Sequence, residues 1–382
     1  MSIVVKKFGG TSLANVDCIH HVANVIHQSY QKQERCVIVV SAMAGTTNQL
    51  DYWADQVGQV LGPNPERDMV LSSGEMITAG LLSMALQARG VKSRAWTGWQ
   101  VPLTTNECWG DSSAFSVGTQ GLLSDLEHGI VPVVCGFQGV TPEGRISTLG
   151  RGGSDTTAMI IASALKANVC EIFTDVQGVY SSDPAYVKSA ILYPALSYDS
   201  MLQFSRYGAK VLHAKAIDWA EKNNVVIRVL STIAPYQEGT LVTAHGPSVC
   251  GIVNKSVLKW SLHYLPKSAS DPLSDGPQDI DSFSFVDWNV SAKGVQFLTW
   301  AEDAHWVKKR WPDAVCSEPK MLVSLIGSAP SVAVALTSHT IPIEHCVRRS
   351  GIIGVMIEQK YTYDMMRHAH KHLEIYAKSC EI

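Results

Sequence analysis

The 382 residues carry 31 Lys and Arg against 34 Asp and Glu, a formal net charge of −3. A chain of this length divides into two or three domains that each bury a core, and near-neutral charge without a basic run excludes a nucleic-acid footprint and points to small-molecule partners. Nine scattered cysteines without a C-x-x-C pair, a start that lacks a signal-peptide layout, and charges that interrupt every apolar stretch together predict reduced thiols, a cytoplasmic location and no membrane span.

Residues 3–5 read as a short β-branched strand, followed by Lys7-Phe8-Gly9-Gly10-Thr11-Ser12 and an amphipathic helix over 16–31. A strand, a glycine pair and a helix make either an anion cradle within reach of Lys7 or a plain strand-to-helix turn. Neither a Walker A motif nor G-x-G-x-x-G occurs. The apolar run 36–40 predicts a buried parallel strand. It ends in a small, hydroxyl-rich loop, 41–48, where ligand loops of α/β folds sit; there Thr47 and Asn48 either touch substrate or cap the next helix. Within an apolar helical pattern at 68–86 stands one carboxylate, Glu75, which holds an ammonium group or caps a helix end at Ser72 or Ser73.

A second buried strand at 130–135 leads through Gly136-Phe137-Gln138-Gly139 and a hairpin turn at 141–144 to the stretch L-G-R-G-G-S-D-T-T, Leu149 to Thr157. Three glycines in four positions let backbone approach a ligand, and amides opening the following helix favour an anion. Arg151 suits a carboxylate or phosphate and Asp155 can order nearby cations, unless Ser154 or Asp155 merely serves as the helix cap. The strand at 169–174 ends in Thr174-Asp175 before Gly178-Val179-Tyr180, a nucleotide platform or an ordinary turn. Helices are expected over 198–204 and 208–223, with Lys210 near a helix start where only an anion makes it comfortable; strands at 225–229 and 239–242 close this half. The alternation predicts a doubly wound, mostly parallel α/β sheet.

From about residue 245 strands dominate, at 249–253, 257–265, 283–286, 294–300, 320–326 and 352–359, with a Pro/Ser/Asp/Gly-rich loop or linker over 266–279. A helix over 363–378 carries His368, His370 and His372; with no acid or cysteine completing a metal site, a solvated helix end is expected.

Lys7 to Ser12, Val40-Ser41-Ala42-Met43, Leu71-Ser72-Ser73-Gly74-Glu75, Gly136 to Gly139, Leu149 to Thr157, Thr174-Asp175 with Gly178-Val179-Tyr180, and Gly208-Ala209-Lys210-Val211-Leu212-His213, in that order, closely resemble the aspartokinases. The resemblance implies an amino-acid kinase domain over 1–245 and paired, smaller α+β ACT-like regulatory and dimerisation domains over 246–382, the first degenerate. It implies transfer of the ATP γ-phosphoryl group to the side-chain carboxylate of L-aspartate, giving 4-phospho-L-aspartate on the way to lysine, threonine and methionine. Mg²⁺ would ride on the phosphates without an assigned protein ligand, and the chain would form a homodimer or higher homo-oligomer. By motif match Lys7 neutralises the transferring group, Gly9 and Gly10 offer it amides, and Asp155 holds the cationic groups. Arg151 pairs with an aspartate carboxylate, Glu75 takes the ammonium, Thr47 and Ser154 add hydrogen bonds, and Thr174, Asp175, Tyr180 and Lys210 surround ATP. Such residues suit a reaction that needs positioning and charge neutralisation rather than a covalent nucleophile.

Several positions depart from the pattern. Ala185 stands where a basic residue usually follows Asp183-Pro184, with Lys188 as a stand-in, and Ala214 replaces a proline after His213. The loop at 266–279 occupies the place of a helix in the first ACT unit, and Gly327-Ser328-Ala329-Pro330 replaces an effector-binding pattern in the second, which implies weakened or altered feedback. Two other readings are a kinase of the same fold acting on carbamate, acetylglutamate or a nucleoside monophosphate, and a catalytically silent aspartokinase-like sensor or partner subunit. The presence of Lys7, Glu75, Arg151, Asp155 and Lys210 speaks against the second.

Overall fold

The apolar runs become neighbouring strands, because β-branched segments buried on both faces are stable only inside a covered parallel sheet. In the computed structural model the described residues are 2–58, 64–262, 285–291, 294–304, 307–308, 311, 313–338, 340–349 and 351–379. They form two compact units, one comprising the chain up to Val179 with Leu192–Arg206 and Lys210–Ser248, the other Tyr180–Ile191, Tyr207–Ala209 and the chain from Val249 onward.

The first unit is built on an eight-stranded sheet in the order Ala195–Ser197, Thr240–Thr243, Ile227–Ser231, Val169–Thr174, Ile3–Phe8, Arg35–Val40, Val131–Cys135 and Ser93–Trp96. All neighbours pair in parallel except Ile227–Ser231 with Thr240–Thr243. This is the doubly wound, mostly parallel sheet expected from the alternation of elements. The first strand runs beyond the expected 3–5 to Phe8, since the two lysines that read as its end are buried and paired. Successive side chains point to opposite faces, so Lys6 and Lys7 diverge. Lys6 Nζ meets Glu171 at 2.7 Å and Glu34 at 3.0 Å; burial pulls its pKa down, but these two carboxylates outweigh that and hold it above the usual lysine value.

Helix Val16–Gln31 is capped by Asn15, whose Oδ1 accepts from the Cys18 N–H, and it buries Ile19, Val22 and Ile26. These pack with Phe8, Ile38, Leu82 and Leu86 in one core. Helix Pro65–Gln87 corrects the expectation that no stretch is long and apolar enough to cross a membrane: it meets that test by length and composition. It is nevertheless a core helix here, with Leu82, Leu86 and the acids Asp68 and Glu75 all buried. The expected hairpin is Gln138–Val140 with Ile146–Thr148, turning at Gly144, and it joins Thr104–Thr105 and Ala114–Ser116 in a small second sheet.

In the second unit the strands predicted separately at 249–253 and 257–265 are one strand, Gly251–Leu262, in an antiparallel sheet ordered Phe285–Ser291, Gly294–Trp300, Gly251–Leu262, Lys320–Ile326, Ile352–Ile357 and His345–Arg349. Helices Pro330–Thr337 and Thr362–Ser379 cover it through Val332, Leu336, Met365 and Met366. The expected solvated helix end is half wrong: His370 is buried, its Nε2 2.8 Å from Ser181 Oγ. The predicted linker over 266–279 lies outside the described residues. All eight cysteines among the described residues are free.

Candidate active site

The carboxyl ends of the parallel strands share one edge of the first unit's sheet, and the loops leaving them are tied to one another by main-chain bonds. Ser41 N–H donates to Phe8 O at 3.1 Å, Gly136 N–H to Val40 O at 2.9 Å, Gly9 N–H to Phe173 O at 3.3 Å and Thr232 N–H to Thr174 O at 2.8 Å. Ligand sites of open α/β sheets form at this edge.

Lys7 is the penultimate residue of its strand and is buried. Its Nζ lies 2.5 Å from Oδ1 of Asp155, a residue from far along the chain that stands in the first turn of helix Gly153–Ala164. Asp155 Oδ2 accepts from the His213 N–H at 3.3 Å, so the segment leading to helix Ala214–Lys222 meets the same carboxylate. Gly152, with φ of 68°, is the helix cap residue, so the reading of Ser154 or Asp155 as a side-chain N-cap fails; both sit buried inside the first turn. A Cβ on Gly152 would overlap the His213 side chain, and one on Gly136 would lie 2.6 Å from Ser154 Cβ, so the loops touch only where side chains are missing. Phe137, between them, holds a left-handed φ of 69°, its N–H donating to Thr157 Oγ1. Non-glycine residues persist there only when their surroundings demand it.

Glu75 is buried in the middle of helix Pro65–Gln87, which rules out its role as a cap. Oε1 accepts from the Ala42 N–H at 3.0 Å, and Oε2 is buried without a hydrogen-bond partner among the described residues. Burial pushes its carboxyl up to about 7, only partly opposed by the Ala42 N–H. An unpartnered buried carboxylate oxygen is expensive unless a cation or a proton satisfies it. Thr47 is half-buried in the first turn of helix Thr46–Val57, after Gly45 with φ of 81°, so neither it nor Asn48 is the cap.

Other expected residues are less tightly organised. Thr174 Oγ1 donates to the exposed Asp175 at 3.1 Å. Gly9 directs its N–H at Phe173 O, while a Cβ on it would come within 3.5 Å of Lys7 Nζ; a Cβ on Gly10 would lie 3.0 Å from Ala42 O. Arg151 is exposed on the glycine loop. Lys210 is also exposed, but the helix expected from 208 begins only at Ala214, so Lys210 lies in a turn and not at a helix start. Tyr180 belongs to the second unit, as does Lys188, the expected stand-in for a basic residue at 185.

Sequence reasoning misses the residues that hold these loops. Asp68 Oδ2 accepts from Thr148 N–H at 2.7 Å and Gly110 N–H at 3.0 Å, fixing the entry to the glycine loop; its burial raises the carboxyl pKa against those two bonds. Gln138 Nε2 donates to Ser72 O at 2.6 Å and its Oε1 accepts from Gly98 N–H. Ser12 Oγ and Thr232 Oγ1 are 2.5 Å apart, joining the first loop to the end of strand Ile227–Ser231. Gln138 and Ser12 stand in recognisable motifs; the partners of Asp68 and Thr232 are too distant in sequence to signal themselves. Among the described residues no three His, Cys, Asp or Glu side chains converge on a metal position.

The amino acid kinase family model matches residues 2–231. An aspartokinase of Rickettsia felis is 40% identical over 276 residues, 70% of this chain and 69% of that protein; one of Geobacillus stearothermophilus is 44% identical over 242 residues, 63% of this chain and 59% of its own. Among solved structures, E. coli aspartokinase III in complex with aspartate and ADP superposes with a TM-score of 0.77 at 22% identity over 97% of this chain and 100% of that one, a likeness of fold. Synechocystis aspartate kinase matches at 28% identity with a TM-score of 0.56, over 99% of this chain and 69% of its own. By sequence and by fold, the chain belongs to the amino acid kinase family and, within it, to the aspartokinases.

Proposed function

We propose that the chain transfers the γ-phosphoryl group of ATP to the side-chain carboxylate of L-aspartate, giving 4-phospho-L-aspartate and ADP, the step that opens lysine, threonine and methionine synthesis. The observation that carries this reading is the buried Lys7–Asp155 pair at the carboxyl edge of the sheet, with the unpartnered oxygen of the helical Glu75, whose other oxygen accepts from Ala42 N–H. Relatives named aspartokinase support the reaction class, and the solved complex with aspartate and ADP supports both ligands.

An acceptor oxygen must reach the γ-phosphorus in line while the Pγ–O bond to ADP breaks, and charge spreads over the three equatorial oxygens. Lys7 supplies positive charge there, and Asp155 holds that ammonium aimed rather than collapsed onto a phosphate. Gly9 and Gly10 allow main chain to approach the transferring group, and Thr174, Asp175, Tyr180 and Lys210 bind the nucleotide. Mg²⁺ carried with the nucleotide would supply further charge neutralisation. Glu75 receives the aspartate ammonium, Arg151 its carboxylate, and Thr47 and Ser154 donate hydrogen bonds. Residues 1–245 act as the kinase domain and 246–382 as an ACT-like region that serves chiefly for homo-oligomer assembly, with feedback by lysine or threonine weakened.

The test is ADP release measured with ATP, Mg²⁺ and a panel of acceptors: L-aspartate, N-acetylglutamate, carbamate and UMP. Turnover with L-aspartate at least about a hundredfold above the others is expected, since a site with a buried carboxylate rejects acceptors that leave it unpaired. Preference for another acceptor overturns the proposal.

A further inference from the structure

Within the second unit, the segment Tyr180–Ile191 and helix Thr362–Ser379 enclose an open cavity of about 690 Å³. Its charge is one-sided. Lys188, Arg367 and Lys371 line it, and Glu374 is the single acid among the lining residues. Arg367, Lys371 and Glu374 follow one another at helical spacings of four and three, so one face of the helix presents them together.

Among the described residues Glu374 forms no ion pair with Lys188, Arg367 or Lys371. Its Oε1 lies 3.4 Å from Nδ1 of the buried His370, whose Nε2 is 2.8 Å from Ser181 Oγ, and Ser181 Oγ in turn accepts from the Ile191 N–H at 2.9 Å. The Glu374–His370–Ser181 chain thus pins the helix to both ends of the segment that carries Lys188. Lys188 and Lys371 form no ion pair among the described residues, and Arg367 lies over the ring of Tyr363, 5.4 Å from its centroid. Three like charges around one cavity repel one another and cost stability unless an anion joins them. A planar guanidinium beside two flexible ammonium groups matches an oxyanion bearing several negative oxygens.

We propose that this cavity is a binding site for a small multivalent oxyanion, a phosphorylated or polycarboxylated metabolite, held by Lys188, Arg367 and Lys371. The proposal does not rest on the proposed phosphoryl transfer, and it assigns Lys188, which the sequence offers as a stand-in for a basic residue at 185, to this cavity instead. The probes are inorganic pyrophosphate and citrate, titrated calorimetrically into the full chain without ATP, on wild type, on Lys188→Ala, Arg367→Ala and Lys371→Ala, and on Lys7→Ala as a control for the nucleotide site. At least one probe should bind with one-site stoichiometry in both wild type and Lys7→Ala. Each cavity variant should weaken it about tenfold, and binding should fall as salt rises. Which probe binds tells phosphoryl from carboxylate chemistry. All three cavity side chains are exposed, and unchanged thermal unfolding of each variant confirms that folding is not the cause. No binding of either probe at millimolar concentration, binding unchanged in the cavity variants, or binding lost in Lys7→Ala would overturn the proposal.

Discussion

Glu75→Gln should gain stability over wild type as pH rises while losing its grip on aspartate. In the folded chain the Glu75 carboxyl is pushed from 4.5 to about 7, because burial penalises the charged form more than the Ala42 N–H rewards it. The folded state therefore holds this proton more tightly than the unfolded state. As pH rises from about 4.5 the unfolded chain releases it first, and stability declines until pH passes about 7, then stays low. With about 1.4 kcal/mol per pKa unit, the penalty grows from about 1 kcal/mol at pH 5 to about 3 kcal/mol at pH 8. The amide introduced by the substitution does not ionise, yet its oxygen still accepts from Ala42. Any cost of its unpaired NH₂ group is the same at every pH, so the diagnostic quantity is a gain over wild type that increases by about 2 kcal/mol between pH 5 and pH 8. Urea unfolding of wild type and Glu75→Gln, without ligands, at those two pH values measures it. The same variant should raise KM for aspartate about tenfold or more, since the substrate ammonium loses its charged partner. A stability difference from wild type that is identical at pH 5 and pH 8 would refute the assignment of a raised carboxyl to this position.

Lys7→Ala should lower kcat by about 10²–10³-fold with little change in KM for aspartate, as expected for charge stabilisation exerted at the transferring phosphoryl group; steady-state kinetics decide this, and a pure KM effect would argue for ground-state binding instead. Gly152→Ala places a Cβ against His213 at a left-handed φ, and should cost about 2–4 kcal/mol in thermal or urea unfolding together with most of the activity. A silent substitution there would mean that the glycine loop is not packed as described. Lysine or threonine at about 1 mM should change the initial rate by less than about twofold, and strong inhibition at submillimolar lysine would show that the ACT-like region still transmits feedback.

Much of the fold follows from local physics. The runs V-I-V-V before Ser41, V-P-V-V-C before Gly136 and C-E-I-F-T before Asp175 need cover on both faces, and each ends at a loop that the site uses. The hairpin turn at Gly144 and the glycines before helix Gly153–Ala164 are likewise readable, because positive φ has few other solutions. What escapes is set by distant partners. Lys6 and Lys7 read as a strand terminus, and only Glu171 and Asp155 make them buried strand residues. The segment 208–213 contains good helix formers yet stays irregular, with Gly208 at a φ of 135° and the His213 N–H spent on Asp155. His370 reads as one of three solvated imidazoles until Ser181, 189 positions away, supplies its partner.

Lys7 and Asp155 are expected to work as a unit on a phosphoryl group bound for a carboxylate. Trapping with hydroxylamine tests this most directly, because an acyl phosphate is converted to a hydroxamate and no other phosphoryl acceptor gives one. Wild type incubated with ATP, Mg²⁺, L-aspartate and hydroxylamine should accumulate aspartyl hydroxamate in step with ADP. Asp155→Ala, folded by circular dichroism, should form less than about a hundredth as much. ADP release without hydroxamate, or an Asp155→Ala variant that turns over normally, would contradict it.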